Sequence, residues 1–235
     1  GSLPCNNTET TGFIALQALL KRYADETLPR AMTIFVGNVF AAEQGLRRLE
    51  GQPDYNRVWH VEGGLAEHQM MDEVRSIMQQ RGVFASIDIH NNTGINPHYA
   101  CINSLDNRFL QLAALFSRTV VYFIKPEGVQ SMAFAGLCPA VTLECGQPGQ
   151  AHGVEHAVEY IDACLNLAEL SSDPVAHHDV SVFHTVAIVT VPEAVSFSFG
   201  LTDVQLQFID AIDHFNFSEM VAGTCFGWQR DPNAK

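Results

Sequence analysis

Four short polar motifs in the sequence contain residue types that can ligate a metal, hold a carboxylate or move a proton. They are ETTG from residue 9, DYNR from residue 54, DIHNNTG from residue 88 and LECGQPG from residue 143. His90 ends a predicted buried strand, with Asp88 before it and an Asn-Asn-Thr-Gly turn after it. Most lone histidines are structural, but this context favours a ligand, because zinc prefers imidazole and carboxylate with one position left for water.

Glu144 ends a second apolar segment, AVTLE. A carboxylate at the end of a buried strand costs free energy unless it has a partner. The position therefore predicts a general base or a metal ligand more than a packing residue.

The elements that must position these residues alternate between helix and strand. Apolar residues recur at helical spacing in TETTGFIALQALLKRYADETLP and GLAEHQMMDEVRSIMQQRG, and short apolar runs such as AMTIFVGN, VFASIDIH, TVVYFI and AVTLECG predict strands. This alternation predicts an α/β fold over residues 1–173, a mixed, mostly parallel sheet with helices on both faces. Residues 174–235 change to period-two patterns and predict a small C-terminal β domain. In open α/β sheets ligands bind outside the carboxyl ends of strands, where His90 and Glu144 are predicted to lie.

Composition limits the possible partners and the location. The net charge of −13 argues against nucleic acid and anionic membranes, because no basic field attracts phosphates. Six cysteines without a C-x-x-C pair predict reduced thiols in a cytoplasmic protein. No apolar run approaches a membrane span, and no signal peptide precedes the first motif. A strand expected before PCNNTE is absent, so we expect a truncated chain or missing disordered residues near its start.

In this order, the four motifs resemble those of the succinylglutamate desuccinylase and aspartoacylase family, which belongs with the zinc carboxypeptidases. The pattern in that family is H-x-x-E-x-x-G, D-L-N-R, D-L-H-N-x-T and E-x-G-x-Q, followed by a small β domain. The resemblance spans roughly residues 5 to 150 in motif order. It implies a zinc-dependent hydrolase with a carboxypeptidase-like fold.

The resemblance implies a role for each matching residue. Glu9 and His90 are implied as zinc ligands, and Asn56 and Arg57 as the groups that hold the substrate's carboxylate. Glu144 is implied as the general base that activates water and then protonates the leaving amine. Arg48 lies one residue out of register with a family arginine that polarises the scissile carbonyl.

One position departs from the family pattern, because Asn6 occupies the place of the first histidine. A neutral amide oxygen binds zinc more weakly than imidazole does, and the alternative thiolate of Cys5 is one residue out of register. Three interpretations stay open. A third ligand comes from His98, His60 or elsewhere, the site is weakly occupied or takes another metal, or the metal has been lost and the chain is a binding protein. The first two together are favoured, since the other motif residues are present.

A second motif competes for the metal. HGVEH, from His152 to His156, fits the inverted zincin pattern H-x-x-E-H with Glu155 as base. The pattern is short and arises by chance in a chain with ten histidines, and Gly153 weakens a helix there by about 1 kcal/mol. We therefore favour polar first-turn residues over a catalytic role.

The sequence thus predicts a zinc-dependent hydrolase of an amide bond in a substrate with a free carboxylate, either an N-acyl amino acid deacylase or a carboxypeptidase. The alternative is a non-catalytic ligand-binding module on the same scaffold. The expected partners of the protein are small molecules or peptides with a free carboxylate. The sequence does not define the oligomeric state.

Overall fold

The structure, a computed structural model, describes residues 10–200 and 203–230. The helices are Thr11–Arg22 (α1), Val39–Glu43 (α2), Ala66–Arg81 (α3), Asn107–Ala114 (α4), Gln130–Phe134 (α5) and Ala151–Asn166 (α6), with 3-10 helices at Tyr55–Arg57 and Ile212–Phe215. The strands are Ser86–His90 (β1), Tyr99–Ile102 (β2), Thr119–Tyr122 (β3), Ala140–Glu144 (β4), Ser181–His184 (β5), Phe197–Phe199 (β6), Leu206–Phe208 (β7) and Gly227–Gln229 (β8).

The chain divides into two compact units. Among the described residues, the first unit comprises 10–93 and 97–185, and the second comprises 94–96, 186–200 and 203–230. The sequence predicted a boundary at residue 174, but β5 lies after that point and pairs with β3 in the sheet of the first unit. The period-two pattern of β5 showed that it was a strand, and it contained no information about which sheet the strand joins.

The first unit contains a five-stranded sheet in the order β1-β4-β2-β3-β5. β1 pairs with β4 in parallel, as do β2 with β3 and β3 with β5, while β2 and β4 are antiparallel. The predicted mixed, mostly parallel sheet is therefore confirmed. β4 has strands on both sides, and its first four residues are buried.

Helices cover both faces of this sheet, as predicted, and alternate residues of β1 show the two layers. Ile89 lies against Gly12 of α1, whereas Ser86 on the opposite face accepts a hydrogen bond of 2.6 Å from Gln130 of α5. On the first face, α1 packs along α6, and a hydrogen bond joins α6 to α4. On the second face, a hydrogen bond joins α3 to α5.

The thiols lie mainly in the hydrophobic core of this unit. Cys101, Cys138, Cys145 and Cys164 are buried, and each is a free cysteine. Burial raises the pKa of Cys138 and of Cys145 to about 12, with Glu144 adding to the effect at Cys145. These thiols are therefore neutral packing groups at physiological pH.

One predicted strand has no partner in the described part of the chain. Residues 31–36, AMTIFV, lie outside every hydrogen-bonded strand and form no backbone–backbone hydrogen bond among the described residues. The strand predicted from this apolar run is therefore not formed among the described residues, because an apolar sequence favours a strand but strand pairing also requires a neighbour. Conversely, β2, β7 and α5 are short elements that the sequence patterns did not predict.

The second unit contains a three-stranded sheet in the order β6-β7-β8. Phe197 and Phe199 alternate with Ser198, and their rings contact Phe208 of β7 at centroid distances of 6.1 and 5.6 Å. Such aromatic pairs on one face stabilise neighbouring strands. The predicted C-terminal β structure is present in this unit.

None of the helices in the described part of the chain is both long and apolar enough to cross a bilayer.

We predict that Gly153 is required for the contact between α6 and β4. A Cβ atom at this position would lie 2.2 Å from the carbonyl oxygen of Cys145, so the helix must move if alanine is introduced. Overpacking of this kind costs about 1–3 kcal/mol, so Gly153→Ala should lower the free energy of unfolding by that amount in urea titrations. Gly136→Ala is the matched control, because a Cβ at Gly136 meets nothing within 4 Å. Equal stability of the two variants would contradict the assigned contact.

Candidate functional site

The two predicted catalytic strand ends lie side by side. β1 and β4 are parallel neighbours, and their register pairs His90 with Glu144. Residues paired across parallel strands project to the same face of the sheet, and here that face is the one covered by α3 and α5. The fold thus brings an imidazole and a carboxylate, separated by more than fifty residues in sequence, to one sheet edge.

His90 belongs to a compact polar cluster with Asp88 and Asn56. Its Nε2 atom lies 2.8 Å from Oδ2 of Asp88 and 3.0 Å from Nδ2 of Asn56. The same Nδ2 atom donates to Asp88 over 3.2 Å. The His90 side chain is only 10% exposed, so these contacts are shielded from water and fix the orientation of the ring.

Asn56 is held in place by its own backbone turn and by α5. Asp54 accepts a hydrogen bond of 3.0 Å from the backbone N–H of Asn56, an Asx turn that starts the 3-10 helix. The Asn56 Oδ1 atom accepts a hydrogen bond of 2.8 Å from the backbone N–H of Gln130. Both ends of the amide are therefore engaged, and the side chain positions His90 in this structure.

Arg47 extends this cluster by an ion pair. Its guanidinium contacts both carboxylate oxygens of Asp54 at 3.0–3.3 Å. Burial by itself would raise the pKa of Asp54, but the N–H of Asn56 and the charge of Arg47 together hold that pKa below its ordinary value. Asp54 therefore stays ionised, and an unbroken chain of polar contacts links Arg47 to His90.

The segment that carries Arg57 is fixed by Gly128. The backbone N–H of Trp59 donates to the carbonyl of Gly128 over 3.0 Å, and a Cβ atom on Gly128 would lie 2.3 Å from the carbonyl oxygen of Arg57. Gly128 also has a φ of +79°, which favours glycine. The Arg57 side chain is exposed, and one guanidinium nitrogen donates to the carbonyl of Asn56.

Glu144 is half-buried and contacts groups on two neighbouring segments. Asn92 donates a hydrogen bond of 3.3 Å to its Oε2 atom. Tyr99 is its antiparallel partner on β2, and burial, followed by the Glu144 charge, raises the pKa of the Tyr99 phenol. The carboxylate thus has the hydrogen bond donor that a charge at this depth requires.

The structure supports some of the predicted site residues more directly than others. It brings His90 and Asn56 into contact and pairs His90 with Glu144 in the strand register, whereas Arg48 and Arg57 are exposed. Glu9 and Asn6 lie outside the described residues, so their predicted metal contacts stay predictions.

Three further residues of the polar cluster were not singled out from the sequence. Asp54 carried a usable signal, because its spacing to Asn56 is that of an Asx turn. Arg47 carried no sequence signal that distinguished it from Arg48. Gln130 acts through its backbone N–H, which no side-chain motif reveals.

The described donors fit a zinc ion in type. Imidazole Nε2 and carboxylate oxygen are both zinc ligands, and His90 and Asp88 present these two atoms 2.8 Å apart. That separation is a hydrogen bond when Nε2 carries a proton, and loss of the proton frees the lone pair that a metal needs. Within residues 10–200 and 203–230, no group of three such side chains is placed to hold an ion, so a zinc ion here would need further ligands from the predicted N-terminal positions or from rearrangement.

The competing motif forms a stack of imidazole rings. The His98 ring stacks on His152 and His156 at centroid distances of 5.1 and 5.0 Å, and Nδ1 of His98 lies 2.7 Å from Nδ1 of His156. The Nδ1 atoms of His98 and His156 therefore engage each other in a hydrogen bond rather than a shared ion, and Glu155 is exposed. His60, the other candidate ligand, is exposed and lies 3.7 Å from Asp72.

The fold is similar to that of solved succinylglutamate desuccinylase structures. The succinylglutamate desuccinylase of Chromobacterium violaceum aligns with a TM-score of 0.63 at 15% identity, over 80% of this chain and 70% of that one. The Vibrio parahaemolyticus enzyme also gives 0.63 at 15% identity, over 96% of this chain and 70% of that one. The product-bound ectoine utilization protein EutE (DoeB) of Ruegeria pomeroyi aligns with a TM-score of 0.56 at 15% identity, over 77% of this chain and 59% of that one.

Comparisons at the level of sequence give nothing further. No family model matches the chain, and no curated protein matches it. The resemblance drawn from the four motifs is confirmed in the fold, with succinylglutamate desuccinylase and aspartoacylase structures among the similar ones.

We predict that the imidazole stack makes the free energy of unfolding depend on pH on the acidic side of about 6.5, the ordinary pKa of histidine. Burial, and then the neighbouring imidazoles, lower the pKa of His98 below 6.5, and burial and His152 lower that of His156. The unfolded chain therefore binds more protons in this range, so the free energy of unfolding should fall as the pH drops below about 6.5. His156→Phe should reduce this slope, because an aromatic ring still fits against Phe116.

The measurement is urea unfolding at a series of pH values. His177→Phe is the control, since His177 is exposed and its replacement should leave the slope unchanged. An identical slope in the wild type and His156→Phe would show that the stack does not contribute.

Proposed function

We propose that this protein is a zinc-dependent hydrolase of an amide bond in a carboxylate-bearing substrate, either an N-acyl amino acid deacylase or a carboxypeptidase. The observation that supports the proposal is the pairing of His90 with Glu144 at the carboxyl ends of two parallel strands, next to Asp88 and Asn56. Packing alone does not explain why these polar groups lie together at the carboxyl ends of the strands, whereas a reaction at that place does explain it.

The proposed roles follow from the positions of the side chains. The exposed guanidinium of Arg57 binds the carboxylate of the substrate through a two-pronged contact. Asn56 orients His90, which ligates the metal through Nε2. Glu144 removes a proton from the attacking water and returns it to the nitrogen of the leaving amine.

The proposed zinc ligands are His90 and Glu9, with a further ligand at the Asn6 position or from a neighbouring side chain. When bound, zinc polarises the scissile carbonyl and lowers the pKa of water. Asp88 contacts the same Nε2 atom, so it would give up this contact when the metal is bound, and its carboxylate oxygen is then a candidate ligand for the ion.

The similar structures support the same class of substrate. Two of them are succinylglutamate desuccinylases and a third is an ectoine utilization protein, and these names refer to small molecules rather than to polymers. We extend that class to this chain as a proposal. A cytoplasmic location stays a prediction from cysteine usage.

We predict that Glu144→Gln lowers kcat by roughly a hundredfold or more while substrate affinity and zinc content stay near wild type. Glutamine keeps the shape of the side chain and its hydrogen bond to Asn92, but it cannot accept a proton. The assay follows the release of amine from a panel of N-acyl amino acids and C-terminal peptides, with zinc measured on the same samples. Glu155→Gln is the matched control and should retain activity, because Glu155 is exposed on α6.

Other outcomes would exclude parts of this proposal. Loss of zinc in Glu144→Gln would make Glu144 a ligand instead of a base. A dead Glu155→Gln with an active Glu144→Gln would favour the inverted zincin motif. Absence of hydrolysis by the wild type across the panel, with ligand binding intact, would favour the alternative function, a non-catalytic binding module.

We also predict that Arg47 contributes more to activity than Arg48 does. Arg47 contacts Asp54, which fixes Asn56 and through it His90, whereas Arg48 is exposed. Arg47→Met should lower kcat/KM at least tenfold more than Arg48→Met in the same assay. The reverse order would restore the sequence-based assignment of Arg48 as the residue that polarises the carbonyl.

A further inference from the structure

A buried side-chain amide, that of Asn91, connects three segments of the first unit at the carboxyl ends of β1 and β4. Asn91 follows β1 directly and is 7% exposed. Its Oδ1 atom accepts a hydrogen bond of 3.2 Å from the backbone N–H of Thr11, the first residue of α1. Its Nδ2 atom donates a hydrogen bond of 3.0 Å to the backbone carbonyl of Gly146, two residues after β4. Both polar atoms of the amide are therefore used, and each holds a different segment against the end of β1.

This position requires a side chain that donates and accepts at the same time. The N–H of Thr11 needs an acceptor, and the carbonyl of Gly146 needs a donor. Asparagine carries one of each on neighbouring atoms, whereas an ionised aspartate carries acceptors alone and a serine offers a single oxygen. A reversed amide would place two donors together at Thr11 and two acceptors together at Gly146. The two contacts thus fix the orientation of the Asn91 side chain.

The bond to Thr11 supplies a cap that α1 lacks in its own first turn. The first four N–H groups of a helix have no partner within the helix, and the side chain of Thr10, at the N-cap position, forms no capping hydrogen bond. The amide oxygen of Asn91 takes this role from another segment. The start of α1 is also packed tightly against β1, because a Cβ atom on Gly12 would lie only 3.2 Å from the Cβ of Ile89.

The bond to Gly146 extends the connection between β1 and β4 beyond the last residues of both strands. The backbone N–H of Cys145 donates to the carbonyl of His90 over 2.9 Å, and the backbone N–H of Asn92 donates to the carbonyl of Gly146 over 3.1 Å. Asn91 adds a second donor to that same carbonyl. The ends of the two strands are therefore joined by three hydrogen bonds in addition to those of the paired strands themselves.

Each of the three segments carries one residue proposed for the reaction, one or two positions before its contact with the amide. These residues are Glu9 before Thr11, His90 before Asn91 and Glu144 before Gly146. We propose that Asn91 is a positioning residue, which sets the distances among the proposed zinc ligands and the proposed general base by joining their segments at one point. This inference rests on the proposed function, because it assigns Asn91 to the same site.

The geometry of zinc binding makes such a joint important. Zinc–ligand bonds are only about 2 Å long, and a misplacement of about 1 Å can lower the rate of an enzyme by about a hundredfold. A loop that follows a strand and a helix start have no other reason to keep a fixed separation to this accuracy. The Asn91 amide supplies that reason, because it contacts both and is shielded from water.

The test compares Asn91→Ala with Asn103→Ala in the whole chain. Asn103 follows β2, and its Nδ2 atom donates a hydrogen bond of 3.0 Å to the carbonyl of Phe123, so its replacement also removes a bond from a side-chain amide to the backbone. β2 is antiparallel to β4, which places Asn103 at the end of the sheet opposite Asn91. Both variants should unfold at lower urea concentrations than the wild type, which makes them a matched pair for loss of stability.

We expect Asn91→Ala to weaken zinc binding at least tenfold, measured by competition with a chromophoric chelator. In the assay of N-acyl amino acids and peptides, its kcat should fall at least tenfold with little change in KM, since the proposed carboxylate anchor Arg57 lies outside the three segments. Residues that orient metal ligands typically have effects of this size. Asn103→Ala should change neither quantity. Equal zinc affinity and equal kcat in the two variants would overturn the proposal and leave Asn91 with a structural role alone.

Amide hydrogen exchange followed by NMR tests the contact itself. Exchange at the Thr11 amide should be at least tenfold faster in Asn91→Ala than in the wild type, and unchanged in Asn103→Ala. Unaltered exchange in Asn91→Ala would contradict the hydrogen bond on which the proposal depends. If Asn91→Ala does not fold, Asn91→Ser replaces it with the same expected results, because its single oxygen cannot reproduce both contacts.

Failure of this proposal can be distinguished from failure of the proposed function. A wild type that binds no zinc and hydrolyses nothing in the panel would contradict the proposed function, and the role of Asn91 with it. A wild type with zinc and activity, together with an Asn91→Ala variant that keeps both, would contradict the role of Asn91 alone. If the wild type has only one of the two properties, the effect of Asn91→Ala on that property decides.

Discussion

The candidate site depends on the parallel pairing of β1 with β4. This pairing aligns the carboxyl ends of two strands, and it places His90 in register with Glu144. A shift of one residue would turn one of the two side chains to the opposite face of the sheet. The register is fixed from within the core, because β4 lies between β1 and β2 and is buried over Ala140–Leu143. Burial of the apolar residues of β4 therefore sets the relative position of two polar side chains, His90 and Glu144.

The second constraint is the chain of polar contacts from Arg47 to His90. Arg47 forms an ion pair with Asp54, and Asp54 accepts a hydrogen bond from the backbone of Asn56. The side-chain amide of Asn56 in turn contacts Asp88 and His90. Such networks are worth most when all members are satisfied, because a buried polar group without a partner is costly. The cluster thus orients the imidazole ring with contacts that come from a loop, a 3-10 helix and α5, in addition to the contact with Asp88 of β1 itself.

Sequence patterns predicted the parts of this structure that depend on local chemistry. His90 and Glu144 were identified because each ends an apolar run, and their position at a strand end is observed. The patterns could not separate Arg47 from Arg48, because only the local rotation of the backbone decides which of two adjacent arginines meets Asp54. They assigned a helix-weakening role to Gly153, whereas the structure shows that α6 approaches β4 too closely there for any side chain. The segment AMTIFV was correctly identified as apolar, but its pairing depends on a neighbour that no local pattern specifies.

The charge of the chain limits how the proposed carboxylate-bearing substrate can be held. With a net charge of −13, the long-range field repels a carboxylate, although salt at physiological strength screens this beyond about 8 Å. Attraction must therefore come from cations within that distance of the site. Arg47 is largely neutralised by Asp54, which leaves Arg57, held by Gly128 at the end of the 3-10 helix, as the guanidinium best placed to bind an anion. For the carboxylate-bearing substrate proposed above, an acidic surface favours a carboxylate close to the scissile bond and to Arg57, since an anionic group farther away would meet mainly repulsion.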